Sequence, residues 1–460
     1  MSDLFSITRR DLLKTVSSGF GYLAFSSLAA AVSAKEANPL APKVAHFPAK
    51  AKRVIFLCMR GGPSHVDTFD YKPALKRDNG KTGKFRGSLL ASPWDFKQQG
   101  KSGLWISEML PGIGSMADEL CLLRGMHTDR PVHPLAMTAL HTGNSQLVRP
   151  SLGAWTLYGL GSENESMPGF ISIDPANGSA QHYGSSFLPA VYQGTKLSGS
   201  NRRGRSARRG RGGGVVPDIK NPLLTARQQR QQIDLIQDLN KAKLKREKHA
   251  PAVEGVIESY ELAFRMQSEM PDLMDMSRES EKTMKLYGID GSESDKFGRK
   301  CLMARRLSES GVRFVEVSHN GWDTHRGMDT SIPRLCEQID RPIAGLLADL
   351  KQRKMLDETL VVWSGEFGRT PYAQNGNGRD HNNKGYTSWM AGGGVKGGFS
   401  FGATDEHGHT AVEGKCHTHD WHATILHLMG LNHEQLTYRH AGRDFRLTDV
   451  AGNVLHDIVA

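Results

Sequence analysis

The sequence predicts an α/β chain built on a mostly parallel sheet with helices on both faces. Three observations predict it. Mostly apolar, β-branched runs recur at Arg53–Cys58, Val312–Val317 and Thr359–Trp363, and a strand buried on both faces reads as such a run without strict alternation. Amphipathic helical stretches alternate with these runs. Each run ends in a polar loop carrying groups able to bind ions, and in an open α/β sheet such loops gather at the carboxyl edge.

In chain order, the start reads Ser6-Ile-Thr8-Arg9-Arg10-Asp11-Leu12-Leu13-Lys14, followed by a weakly apolar run that ends Val32-Ser33-Ala34. A twin arginine before a short apolar stretch and a small-residue cleavage site is the pattern of a Tat-type export signal. Residues 1–34 are therefore expected to be removed and the mature protein to be periplasmic. Residues 35–52 form a Pro/Ala/Lys linker, and 53–460 a single domain. Arg53–Cys58 opens into the glycine-rich loop Met59–Asp70. Leu120–Leu123 is a further strand, followed by the histidine-rich loop His127–His133. Residues 193–221, rich in Gly, Ser and Arg, can bury no face and read as a disordered insertion. From Leu223 to about Met276 the pattern is helical and polar, broken at Pro251. Phe297–Ser310 reads as a helix with Leu302 and Leu307 inward and Arg299, Arg305 and Arg306 outward, stopped by Gly311. Ile343, Leu346, Leu347 and Leu350 mark the core stripe of another helix, and Trp421–Leu431 a last one.

The 460 residues carry a net charge of +11. Six arginines crowd between Arg202 and Arg211 and one further excess charge lies in the first 34 residues, so the rest is only mildly basic. That balance, with no aromatic residue in the arginine run to stack on bases, argues against specific nucleic-acid binding. No apolar window is long enough to cross a bilayer, so no transmembrane segment is expected in the mature chain. Five cysteines stand singly, with no CxxC pair. That excludes a zinc ribbon, a thioredoxin motif and a full disulfide framework.

Twelve of the 19 histidines follow residue 318, where the loops with ligand chemistry lie. Asp323-x-His325 sets two metal-ligand types on one extended turn. Asp380-His381 is a second such pair, and Glu366 adds a carboxylate. Arg60, Arg369 and Arg379 accompany them, and a guanidinium matches phosphate or sulfate oxygens bidentately. His419 and His422 share a helix face, but His407, His409, His417, His419, His422 and His427 read first as structural.

The segments FLCMRGGPSHVDTFD, AMTALHTG, CLMARRLSESGVRFVEV, WDTH, DETLVVWSGEFGRTP, GRDH and DWHATILHLMGL, with the twin-arginine start, resemble an exported, sulfatase-like family, domain of unknown function fifteen-oh-one, in the alkaline-phosphatase-like superfamily. The resemblance covers nearly the whole chain outside the arginine run. It implies an α/β/α sandwich, one or two divalent ions (zinc, calcium or magnesium) and cleavage of sulfate or phosphate esters. Ala139–Gly143 is similar to the tail of the sulfatase nucleophile motif, which sets His133 where a sulfatase has its formylglycine cysteine. Glu366 and Phe367 fall where a sulfatase strand ends in metal-binding Asp-His. Met59-Arg60-Gly61 replaces the paired aspartates of the first strand, with Asp67 the nearest acid. The expected metal set is Asp67, Asp323, His325, Glu366, Asp380 and His381, with His133 as nucleophile or acid/base and Arg369 clamping the anion. The substrate would be an anionic ester, including one on a polysaccharide. The alternative is a degenerate sulfatase fold that binds anionic glycans or a partner protein without turnover.

Overall fold

A computed structural model describes residues 39–82, 87–175, 180–197, 224–247 and 251–460. The export signal and the arginine run lie outside the described residues. The strands that matter here are β1 (Arg53–Arg60), β2 (Leu120–His127), β3 (Phe170–Ile173), β4 (Thr195–Leu197), β5 (Phe314–Asn320), β6 (Thr359–Ser364), β7 (Gly368–Gln374), β8 (Gly378–Asn382), β9 (Tyr386–Ala391), β10 (Phe399–Phe401) and β11 (Cys416–His417). The main helices are α1 (His133–Thr142), α2 (Leu152–Leu160), α3 (Ala226–Glu247), α4 (Pro251–Met274), α5 (Asp295–Glu309), α6 (Met328–Gln352) and α7 (Thr418–Leu428).

The central sheet runs β10-β2-β9-β6-β1-β5-β3-β4, with β11 also on β2. Every pairing is parallel except the two made by β9. All six residues of β6, and all six of β9, are buried, so both faces of the sheet are covered. This is why Thr359–Trp363 reads as an apolar run rather than an alternating one. On α6, Ile343, Leu346, Leu347 and Leu350 are fully buried, the stripe that their spacing predicts. Pro251 opens α4, as its break in the helical pattern implies.

Four local differences have physical causes. The linker is not free: Leu40 is buried, Lys43 N–H donates to the Leu160 carbonyl at 2.9 Å and His46 N–H to that of Gly430 at 2.9 Å. Thr195–Leu197, counted into the insertion from its composition, pairs with β3 as the edge strand. Helix α7 begins three residues early because the His417 and Asp420 side chains form a reciprocal capping box. Arg305 points inward, drawn by Glu279 at 2.7 Å, Glu309 at 2.6 Å and Asp349 at 3.0 Å. No described helix is long and apolar enough to cross a membrane.

Candidate metal centre

Three adjacent parallel strands, β5, β1 and β6, end at one edge of the sheet. Their loops bring Asp323 and His325 (after β5), Gly61 (after β1) and Glu366 (after β6) together. The amino end of α1 adds His133. The antiparallel β7–β8 hairpin, with His381 in register opposite Arg369, supplies the last two groups. Gly61 is required here: its φ is +113°, and a Cβ would sit 2.5 Å from the Asp323 nitrogen.

Donor atoms of His133, Asp323, His325 and His381 all lie within 4.8 Å of one another. Asp323 Oδ1 is 3.1 Å from His133 Nε2, 3.0 Å from His325 Nε2 and 3.4 Å from His381 Nε2. The last two nitrogens are 2.9 Å apart. Each imidazole faces an acceptor on its other side. His133 Nδ1 meets Glu366 Oε1 at 2.5 Å, His325 Nδ1 meets Gln374 Oε1 at 2.5 Å, and His381 Nδ1 meets the Pro131 carbonyl at 2.7 Å. A carbonyl can only accept, so Nδ1 carries the proton and Nε2 presents its lone pair inward. Glu366 is itself fixed, since Gly61 N–H donates to both carboxylate oxygens at 3.0 and 3.1 Å. Phe367, in van der Waals reach of both His133 and His381 (ring centroids 4.8 and 4.7 Å apart), forms an apolar shelf beneath them.

The donor chemistry fits a divalent ion. Three nitrogen lone pairs and a carboxylate oxygen pointing at one another repel unless a proton or a cation lies among them. His133 Nε2 is buried, and its 3.1 Å approach to Asp323 Oδ1 falls short of a well-formed hydrogen bond, so an ion between the two would satisfy both. Histidine-rich sets with carboxylate-anchored imidazoles suit zinc-like ions. Burial alone would lower the His133 pKa, but Glu366 and Asp323 outweigh it and raise it. Burial and the neighbouring Arg369, His133 and His325 hold that of His381 down.

Residues 51–459 match the family described as "Protein of unknown function (DUF1501)". The chain belongs to the DUF1501 family. No curated protein matches its sequence. Among solved structures, this DUF1501 chain is similar to the lipoteichoic acid synthase LtaP from Listeria monocytogenes, at 9% identity and a TM-score of 0.39 over 89% of this chain and 78% of that one. It is also similar to the PsFucS1 sulfatase from Pseudoalteromonas sp. (14%, 0.35, 84% and 68%). A third is a protein in the alkaline phosphatase superfamily from Vibrio parahaemolyticus (10%, 0.36, 86% and 71%).

Of the residues expected to hold metal, the DUF1501 structure brings Asp323, His325 and His381 together and sets Asp67, Glu366 and Asp380 outside the donor group. Asp67 is buried and locked by Arg379, whose Nε and Nη2 donate to its two oxygens at 2.8 and 3.0 Å. Glu366 backs His133 rather than facing inward. Asp380 is exposed and accepts from the His381 N–H at 2.8 Å, 3.9 Å short of His325 Nδ1. His133, expected as nucleophile or acid/base, points a lone pair into the donor group instead. Arg369 is not an open clamp: it is fully buried, and it donates to the Gly61, Gly62 and Arg379 carbonyls and to Asp323 Oδ1. It therefore positions Asp323, whose pKa it holds well below the usual carboxylate range against the opposing effect of burial. Sequence reasoning missed Gln374, the Pro131 carbonyl and the Gly61 amide. Two of these act through backbone atoms, which leave no trace in residue type.

Arg130 and Arg326, next in sequence to Pro131 and His325, are exposed, whereas Arg369 and Arg379 are wholly buried. Glu366→Gln should weaken divalent-ion binding about 10–100-fold, the usual effect of losing a ligand's outer partner. Titrating apo-protein with zinc in a competing chelator measures it, and an unchanged affinity would remove Glu366 from the centre.

Proposed function

We propose that this protein is an exported, metal-dependent hydrolase of sulfate or phosphate esters. One observation carries the reading: three histidines whose Nδ1 atoms are anchored by acceptors turn their Nε2 lone pairs onto Asp323 Oδ1. A divalent ion held by His133, His325, His381 and Asp323 would supply Lewis-acid chemistry, polarising an ester oxygen and making a water more acidic. The chain's own residues do the rest. Glu366 fixes the His133 tautomer, Arg369 holds Asp323 in place, and Phe367 keeps water from one side of the imidazoles. Asp323 is the exposed member of the group, so an ester would approach from its side. Arg130 and Arg326 would draw the anion there.

The four grouped side chains are three imidazoles and a carboxylate, a set suited to holding an ion that activates water. The same set serves a second reading, a sulfatase-like fold that binds anionic glycans or a partner protein without turnover. The test is hydrolysis of aryl sulfate and aryl phosphate esters by the metal-loaded protein, with and without chelator. Turnover that chelator abolishes and added ion restores supports the hydrolase. Metal-loaded protein that retains a sulfated polysaccharide but turns over neither ester class favours the binder.

Export rests on the twin arginine. Arg9→Lys with Arg10→Lys should hold the precursor in the cytoplasm, because a receptor reads the pair. Normal arrival of the double variant in the periplasm, seen by fractionation, would refute the signal.

A further inference from the structure

We propose that the core holds a second cation site, built by Cys58, His141 and Glu316 and fitted to a zinc-like ion. It is separate from the surface centre and does not depend on the hydrolase reading. The sheet register pairs Phe56 with Glu316 and Cys58 with Ser318. Side chains two residues apart share a face of a strand, so Cys58 and Glu316 look out from the same side of neighbouring strands. Helix α1 lies over that side and lowers His141 onto it, with Phe56 and His141 ring centroids 5.8 Å apart.

The donor arrangement repeats the logic of the surface centre in a dry setting. His141 Nδ1 donates to the Met137 carbonyl at 2.8 Å, which leaves Nε2 a lone pair. That lone pair is 3.4 Å from Glu316 Oε1 and 4.0 Å from Cys58 Sγ. All three donor atoms lie within 4.8 Å of one another. Donors around a tetrahedral ion, with bonds of about 2.0–2.3 Å, stand roughly 3.3–3.6 Å apart. The 3.4 Å gap falls in that range, the 4.0 Å gap to sulfur lies a little beyond it, and all three are within 4.8 Å, so a small inward shift would close the donors on an ion.

An independent observation asks for a cation here. Glu316 is 2% exposed, and its Oε2 is buried with no hydrogen-bond partner. Its one ion-pair contact among the described residues is His141, and Ser318 Oγ donates to its Oε1 at 3.2 Å, which leaves Oε2 unmet. A buried carboxylate left this way is costly unless a positive charge meets it. Ser172, in register beside Glu316 on β3, also buries an unpartnered Oγ, a fourth polar group bordering the site. His182 stacks flat on His141, 4.4 Å between centroids at 12°, and closes the site from the far side. A thiolate with an imidazole selects zinc-like over magnesium-like ions. Enclosure in the core makes the role structural, tying α1 to β1 and β5 behind the surface centre.

The competing arrangement is a doubly protonated His141 paired with Glu316, with no ion. Sulfur separates the two, because the surface centre contains none. The full-length protein is produced in cobalt-supplemented medium, so that the ion enters as the chain folds, and its absorption and cobalt content are measured. The expected result is about two equivalents of cobalt and a thiolate-to-cobalt charge-transfer band in the near ultraviolet. Cys58→Ser should remove the band and lower the content to about one equivalent, whereas His381→Ala should keep the band while losing surface metal. Wild-type protein lacking the band, or a Cys58→Ser variant that keeps it, overturns the core site even if the surface centre is metal-loaded. If Cys58→Ser does not fold, the wild-type spectrum alone decides.

Discussion

Arg379→Ala is expected to destabilise the protein by about 3–5 kcal/mol, the range for breaking a buried ion pair by removing one partner. Both Asp67 and Arg379 are wholly buried, and the pair is bidentate. Truncating the arginine strands a carboxylate whose one remaining side-chain hydrogen bond among the described residues comes from Ser64 Oγ, at 2.5 Å. It also frees the Thr370 carbonyl, which Arg379 Nη1 holds at 3.2 Å. Asp67→Asn should cost less than Arg379→Ala, because a neutral amide replaces the charge and still offers an oxygen to the guanidinium. Denaturant unfolding of the three proteins measures both effects. A loss below about 1 kcal/mol for Arg379→Ala, the scale of an exposed pair, would show that water reaches Asp67.

For His381→Ala the larger effect is on metal. At a free ion concentration a hundredfold above its dissociation constant, an ion binding only the folded state stabilises by about 2.7 kcal/mol. Removing one of the three imidazoles should lower affinity more than the 10–100-fold seen for outer partners, so nearly all of that stabilisation goes. In chelator the gap between wild type and variant should shrink. The substitution then also relieves the 2.9 Å contact between two nitrogen lone pairs and forfeits packing on Phe367 and the hydrogen bond to the Pro131 carbonyl. Metal content and thermal unfolding, each with and without chelator, test this. Wild-type protein that carries no ion, and unfolds identically in chelator and in added zinc, would end the metal reading.

The fold class was legible because burial on both faces removes alternation: β1 and β6 carry unbroken apolar runs, and β5 a mostly apolar one that Glu316 interrupts. Strand β2 was read only as far as Leu123, because Arg124 and Gly125 interrupt the run while the strand continues to His127. In the candidate site, Asp323, His325 and His381 were legible from paired ligand types at strand-end loops. The carboxylates were not separable by type: Asp67, Glu366 and Asp380 look alike in sequence. Only the structure shows that one is taken by Arg379, one backs an imidazole and one faces solvent. The concentration of histidines after residue 318 pointed the right way but too broadly. His419 and His422 face the carbonyls of Gly143 and Leu140, and His407 pairs with Asp78. His133, by contrast, comes from far upstream.

The anchors of the surface centre are distant in sequence: Glu366 lies 233 residues from His133, and Pro131 lies 250 from His381. Such contacts form late, since long loops must close before they are made. The ion-binding geometry therefore cannot exist until β5, β1 and β6 stand in their final alignment. A one-residue slip in either pairing would swing a loop to the wrong side, parting Asp323 from His133 or Glu366 from Gly61. An ion bound there would thus report on folding, since only a chain whose sheet has closed in register could hold it, and a compact but misaligned one could not.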